Sequence, residues 1–129
     1  MIGQQLLRNV KERLRLFLSE GGRRARYEQR EARGLELLKE WLSPEQLALY
    51  ETKSYFEVTG CHSGKRYRIT HASSMNIHEL DDTGRPLVGW CFAPKGYLVA
   101  GDVMLAQKIA LETDERGALT VANKFLLSR

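Results

Sequence analysis

The sequence predicts an α+β domain: N-terminal helices, a four-stranded antiparallel meander sheet, and two C-terminal helices packed on one sheet face. Three observations lead there. A helix-start signature stands at Leu42–Leu47, LSPEQL. Two pairs of alternating segments follow, each joined by a turn sequence, and their apolar residues match when the turns are closed. Beyond residue 100 the apolar spacing returns to that of helices.

At the start of the chain, Leu6, Leu7, Val10, Leu14, Phe17 and Leu18 recur every three or four residues. Residues 3–19 therefore read as an amphipathic helix, with Gly21-Gly22 expected to end it. Helical character resumes over 23–41, where Leu35, Leu38, Trp41 and Leu42 form the apolar stripe and Gly34 is a weak point. Ser43 suits an N-cap, Pro44 the first helical position, and Gln46 the third position of a capping box, with Leu42 and Leu47 as the staple. A helix over 44–52 follows.

Closing a turn at Cys61–Gly64 sets Gly60 against Lys65. Val58 then meets Tyr67 and Phe56 meets Ile69 on one face, while Glu57 meets Arg68 on the other. A slip of one residue destroys both matches, so the register is well specified. A turn near Ala72-Ser73-Ser74 sets Ile69 against Ile77. A turn at Asp81–Gly84 pairs Ile77 with Val88 and Met75 with Trp90. The expected core face is Phe56, Val58, Tyr67, Ile69, Met75, Ile77, Val88 and Trp90. Asp102 is the expected cap of a mostly buried helix over 103–112. A last helix over about 114–126 turns Ala118, Ala122, Phe125 and Leu126 inward.

The 129 residues suffice for a packed core without metals or disulfides, and 43% apolar content argues against wholesale disorder. Two cysteines, Cys61 and Cys91, are too few for a disulfide scaffold. The first twenty residues scatter charges among their apolar positions, unlike a signal peptide, and no apolar run reaches the roughly 18 residues of a membrane span. A cytoplasmic protein is expected. Residues 1–40 hold ten Lys/Arg against six Asp/Glu, whereas residues 41–129 hold ten of each. The net +4 therefore sits on the N-terminal third, which divides the chain into a basic helical arm, 1–41, and a neutral α+β domain, 42–129.

Leu42–Gln46, Tyr55–Val58, Ser63-Gly64, Tyr67–Ile69 and Ala106–Glu112 carry a resemblance over about residues 42–126 to a group of small bacterial proteins with no assigned activity. The resemblance implies a fold and brings no catalytic residues. The hairpin-then-helix order is also similar to SWIM-type zinc modules, but the closely paired cysteines of such modules are missing.

The segment Gly60–His71, GCHSGKRYRITH, gathers a cysteine, two histidines and basic residues. In the hairpin just derived, Cys61 and His62 sit at the tip and His71 at the base, roughly 20 Å away at about 3.3 Å per residue. They cannot share a zinc ion, whose ligands lie within about 2.3 Å. Cys91 lies about 13 Å from His78's neighbourhood by the same measure. No metal or cofactor is therefore expected. Cys61 and His62 are not a dyad either, since neighbours on an extended chain point apart. No glycine-rich phosphate loop or nucleophile elbow is present, and Asp81-Asp82 serve a turn.

Two binding chemistries remain. Arg8, Lys11 and Arg15 share a helix face, and Arg23, Arg24, Arg26 and Arg30 follow. With Arg66 and Arg68 on the outer face of the first hairpin beside Tyr55, they form a candidate phosphate grip. The opposing reading is a solvated helix laced by Glu12, Glu20, Glu28 and Glu31. The second chemistry is apolar: Leu6, Val10, Leu14 and Phe17 stripe a helix that nothing in the sequence forces onto the sheet. The expectation is a non-enzymatic interaction module. Its arm would serve protein–protein contact or self-association, with nucleic acid as the alternative partner and a small enzyme with an unrecognised site as a further one.

Overall fold

The computed structural model describes residues 2–96 and 98–127; the side chains of Ile2, Phe17, Ser19 and Glu20 lie outside the described set. The class is α+β, with four helices and a five-stranded antiparallel sheet among the described residues. The elements are α1 (Ile2–Trp41), α2 (Pro44–Lys53), β1 (Tyr55–Thr59), β2 (Arg66–Thr70), β3 (Ile77–Leu80), β4 (Pro86–Cys91), α3 (Ala100–Thr113), α4 (Glu115–Val121) and β5 (Asn123–Phe125). The chain divides into two units, Met1–Ala32 and Arg33–Arg129.

The first unit consists of helix alone, and it corrects the expected break at Gly21-Gly22. α1 runs through both glycines. Each costs about 1 kcal/mol relative to alanine, but strong helix formers flank them and no proline interrupts the i→i−4 ladder. A Cβ at either position would meet no atom within 4 Å. Gly21→Ala and Gly22→Ala are therefore expected to stabilise the helix by about 0.5–1 kcal/mol each. A rise in helical circular dichroism of the full chain checks this; an unchanged signal would mean that the glycines are not helical.

In the second unit the sequence signals at Ser43 hold in detail. The Gln46 amide donates to Ser43 Oγ at 3.2 Å, and Ser43 N–H donates to Gln46 Oε1 at 3.0 Å. This closed capping box starts α2, and Ser54, in the left-handed region at φ 61°, ends it. The first hairpin has the expected register, Phe56 with Ile69, Glu57 with Arg68 and Val58 with Tyr67; Ile69 then pairs with Ile77. The sheet order is β1-β2-β3-β4-β5. Phe56, Val58, Tyr67, Ile69 and Ile77 form a core with Leu38, Leu42, Met104, Leu105 and Leu111. Trp41, expected in the apolar stripe, is exposed.

The second hairpin departs from expectation by two residues. Ile77 pairs with Trp90 and Glu79 with Val88. One residue enters at the turn, which closes between Asp81 and Arg85 because Gly84 takes a positive φ of 86°. The Asp81 carboxylate holds that turn by accepting from the Thr83 and Arg85 amides. The other enters at a bulge opposite Glu79 and Leu80. A two-residue shift preserves the face, so Val88 and Trp90 still point with Ile77. Met75 does not join them. It is 59% exposed at φ 50°, in the connection that Thr70 N–H closes by donating to the Asn76 carbonyl.

The C-terminal helices differ as well. α3 starts two residues before Asp102, capped by Val99 without a side-chain bond; Asp102 lies in the first turn, where its charge suits the helix N-terminus. Its burial on most sides is as expected, including Gln107 and Lys108. The last helix stops at Val121, and residues 123–125 become β5 against Gly89–Cys91. Gly89 is the reason. A Cβ there would lie 2.0 Å from the Phe125 ring, so the missing side chain is the space that Phe125 fills. Leu126, expected inward, is exposed.

Candidate interaction surface

Within Met1–Ala32 the helix sorts its side chains by face. At 3.6 residues per turn, Leu6, Leu7, Val10, Leu14 and Leu18 fall in an arc of about 120°. All five are between 55 and 64% exposed. Leu16, 65% exposed, points elsewhere. The Phe17 side chain, expected in the same stripe, lies outside the described set.

Because the helix is unbroken, basic residues on either side of Gly21-Gly22 come into phase. Lys11, Arg8, Arg15, Arg26 and Arg30 share an arc of about 100° that begins beside Leu18 and runs away from the leucines, over about 33 Å of helix from Arg8 to Arg30. Arg23 lies at the edge of that arc. Arg24 falls on the apolar side, beyond the last leucine. Among the described residues of 2–32, none takes part in an ion pair within 4.0 Å; Lys39, further along α1, lies 3.8 Å from Glu51.

Arg66 and Arg68 are placed differently. The register aligns Glu57, Arg68, His78, Gly89 and Phe125 in one row across the five strands. Glu57 takes both arginines, Arg66 Nη1 at 3.4 Å and Arg68 Nη2 at 3.8 Å. The Arg68 guanidinium also lies 4.4 Å from the Tyr55 ring centre. Arg68 Nε is buried without a hydrogen-bond partner among the described atoms. Phe125 meets His78 edge-on at 6.3 Å, and burial together with the Arg68 charge pushes the His78 imidazole below its usual value. Both arginines of this surface are thus engaged by Glu57.

The hairpin tip holds what the sequence did not reveal. Cys61–Gly64 docks onto the junction of α3 and α4. Cys61 N–H donates to the Leu111 carbonyl at 3.1 Å. Glu115, only 2% exposed, inserts its carboxylate beneath the turn. That carboxylate accepts from the His62 amide at 2.9 Å, the Ser63 amide at 2.7 Å, the Ser63 hydroxyl and the Tyr67 hydroxyl at 2.6 Å. In return the Glu115 amide donates to Cys61 Sγ at 3.4 Å and the Arg116 amide to His62 Nδ1 at 3.1 Å. Burial pushes the Glu115 carboxyl up, but the hydrogen bonds from Ser63, Tyr67 and His62 together outweigh it and bring it to about 2. Burial, then Glu115's hydrogen bond and charge, raise the Tyr67 phenol above its ordinary range. Cys61 and His62 sit at the tip as expected, but they are acceptors in a latch.

On the other side of α2 an open cleft of about 540 Å³ is lined by Glu45, Gln46, Glu57 and Glu112 among others. Gln46 Nε2 donates to the Glu57 carbonyl at 2.8 Å and to Glu112 Oε1 at 3.3 Å, and Lys108 Nζ reaches Glu112 Oε2 at 2.6 Å. These groups hold α2, β1 and α3 together. Among the described residues no three His, Cys, Asp or Glu side chains are placed to hold a metal ion, and no helix is long and apolar enough to cross a membrane. Comparison with known protein families, with curated proteins and with solved structures finds no match.

Proposed function

We propose that this protein is a non-enzymatic interaction module whose N-terminal helix docks on a protein partner through Leu6, Val10, Leu14 and their neighbours. The supporting observation is the exposure of five aliphatic side chains on one face of a single helix. Large contiguous apolar surface on a folded chain marks a contact site, whereas scattered exposed leucines do not. Helices in proteins draw most of their stability from packing of an apolar face, so this one gains by having its leucines covered. In the second unit the carboxylate of Glu115 is fully engaged by the hairpin tip and Tyr67.

A second reading uses the adjoining basic face. Arginines in phase over about 33 Å suit a run of phosphates, and the lack of ion pairs among the described side chains of residues 2–32 favours this reading over a solvated, self-neutralised helix. Arg66 and Arg68, both engaged by Glu57, add little to it.

One experiment addresses both faces. A photoreactive residue is placed at Leu14, Leu16 or Arg15 of the full chain and irradiated in the cells that make it. Cross-linking to polypeptide from position 14 and not from position 16 is the expected result. Cross-linking to nucleic acid from position 15 alone would make the phosphate face the functional one. No product from position 14 would sink the docking proposal.

A further inference from the structure

We infer that the partner of the arm is a second copy of this chain, paired with it antiparallel about a two-fold axis near residue 12. The inference rests on the docking reading and names its occupant. A two-fold interface must present a patch complementary to itself. The apolar positions of the arm have that property: under the exchange of residue i with residue 24 minus i, Leu6 matches Leu18, Leu7 matches position 17, and Val10 matches Leu14. Gly3 matches Gly21, closing the pattern at both ends. Positions 7, 10, 14 and 17 therefore meet one another across the seam, while Leu6 and Leu18 stand on its two flanks. Spacings of three and four residues at 7, 10, 14 and 17 are those of a helix-pair seam.

Charge selects the orientation. In a parallel pair the continuous helix would carry the same seam onward to Arg24, Glu28 and Glu31, each against its own copy. Like charges at seam positions oppose that arrangement. In the antiparallel pair the matched seam spans residues 3–21, about 27 Å of helix, and none of those three faces its own copy. It does bring Lys11 near Lys11 of the second copy and Arg13 near Arg13, at the solvent-facing margins. Salt screens such exposed repulsion. The pair is therefore expected to tighten as salt is added, the reverse of phosphate binding, which weakens with salt.

Area sets the strength. Fully burying a leucine or valine removes on the order of 60–120 Å² of apolar surface. The five in each copy, more than half exposed, return roughly 400–700 Å² between them. This falls short of the roughly 1,000 Å² of a stable specific interface, so the pairing expected from it is weak and reversible.

The test is sedimentation equilibrium of the full chain from about 1 to about 200 µM, a range that brackets micromolar dissociation, repeated at low and high salt. The expected result is a reversible dimer that tightens severalfold with salt. Val10→Asp, which puts a charge in the seam, is expected to weaken it at least about tenfold. Leu16→Gln, an equally exposed leucine off the face, is expected to leave it unchanged. For orientation, an equimolar mixture of Val10→Cys and Leu14→Cys chains is oxidised and the disulfides mapped by mass. The mixed disulfide is expected to exceed either symmetrical one. A monomer across the whole range, a dimer weakened equally by Leu16→Gln, or dominant symmetrical disulfides would each overturn the inference. If the chain stays monomeric while position 14 cross-links to a different polypeptide, the second copy is wrong and the docking reading survives. If neither assembly nor a cross-link is found, both fall.

Discussion

Glu115→Ala is expected to lower the unfolding free energy by about 3–5 kcal/mol, as much as truncating a large core side chain. The substitution removes the acceptor for the His62 amide, the Ser63 amide and hydroxyl, and the Tyr67 hydroxyl at once. Tyr67 is fully buried and Glu115 nearly so, so water cannot freely replace the carboxylate. Each buried donor left unpaired costs about 1–3 kcal/mol. Against a typical total stability of about 5–15 kcal/mol this is a large fraction. Urea denaturation at neutral pH measures it as a fall in midpoint at constant slope. A midpoint close to that of the parent chain would show that the latch contributes little.

The same carboxylate makes stability depend on pH in a defined direction. Its folded-state pKa of about 2 lies below the ordinary 4.5. A depressed carboxylate contributes stability that is fully present above its unfolded value and is lost as pH falls through the folded one. The window is therefore pH 4.5 down to about 2. The difference corresponds to roughly 3 kcal/mol at about 1.4 kcal/mol per pKa unit. Other carboxylates titrate nearby, Asp81 among them, held below its usual value by its bonds to Thr83 and Arg85. The informative quantity is the gap between the parent chain and Glu115→Gln, whose amide does not ionise. That gap is expected to narrow on acidification, and a constant gap would remove the carboxylate's charge from the explanation.

How much of this was legible in the sequence depends on the reach of each interaction. The capping box at Ser43 and the first hairpin could be read because their determinants lie within a few residues, or across one short turn that fixes parity. The β3–β4 register was misread because two local devices, a longer turn at Gly84 and a bulge, each add a residue without changing which face is apolar. Gly21-Gly22 looked like a stop because glycine's cost is a propensity, and a long run of good helix formers overrides it. The leucine stripe and the arginines of the arm were visible from spacing; their common phase was not, because it exists only in an unbroken helix. Glu115 was invisible. It lies 52 residues beyond Ser63, and nothing near it in sequence distinguishes it from the acidic residues beside it. A pairing between remote segments leaves no local pattern.

Gly101→Ala is the second large effect, and it tests a contact of the same remote kind. Gly101 on α3 faces Gly34 on α1. A Cβ at position 101 would stand 2.3 Å from Gly34 C and 2.6 Å from Leu35 N, both backbone atoms. No rotamer change relieves a clash with backbone, so the two helices must separate. Leu38 and Met104, one turn further along each helix, are both fully buried and would lose contact as they do. Overpacking of this kind costs about 1–3 kcal/mol, against which the better helix propensity of alanine returns at most about 1. A net loss of about 1–2 kcal/mol is expected. Gly34→Ala provides the contrast. Its Cβ would meet Val99 Cγ2 at 2.8 Å and Asp102 Oδ1 at 3.2 Å, side-chain atoms that can move. There the propensity gain offsets most of the strain, and the change is expected to fall within about 1 kcal/mol of zero. Urea midpoints of the two variants read the difference directly. If Gly34→Ala proves the more damaging, the close approach of α1 and α3 is not built on Gly101. The weak point that Gly34 presents in the sequence would then be the true centre of the crossing.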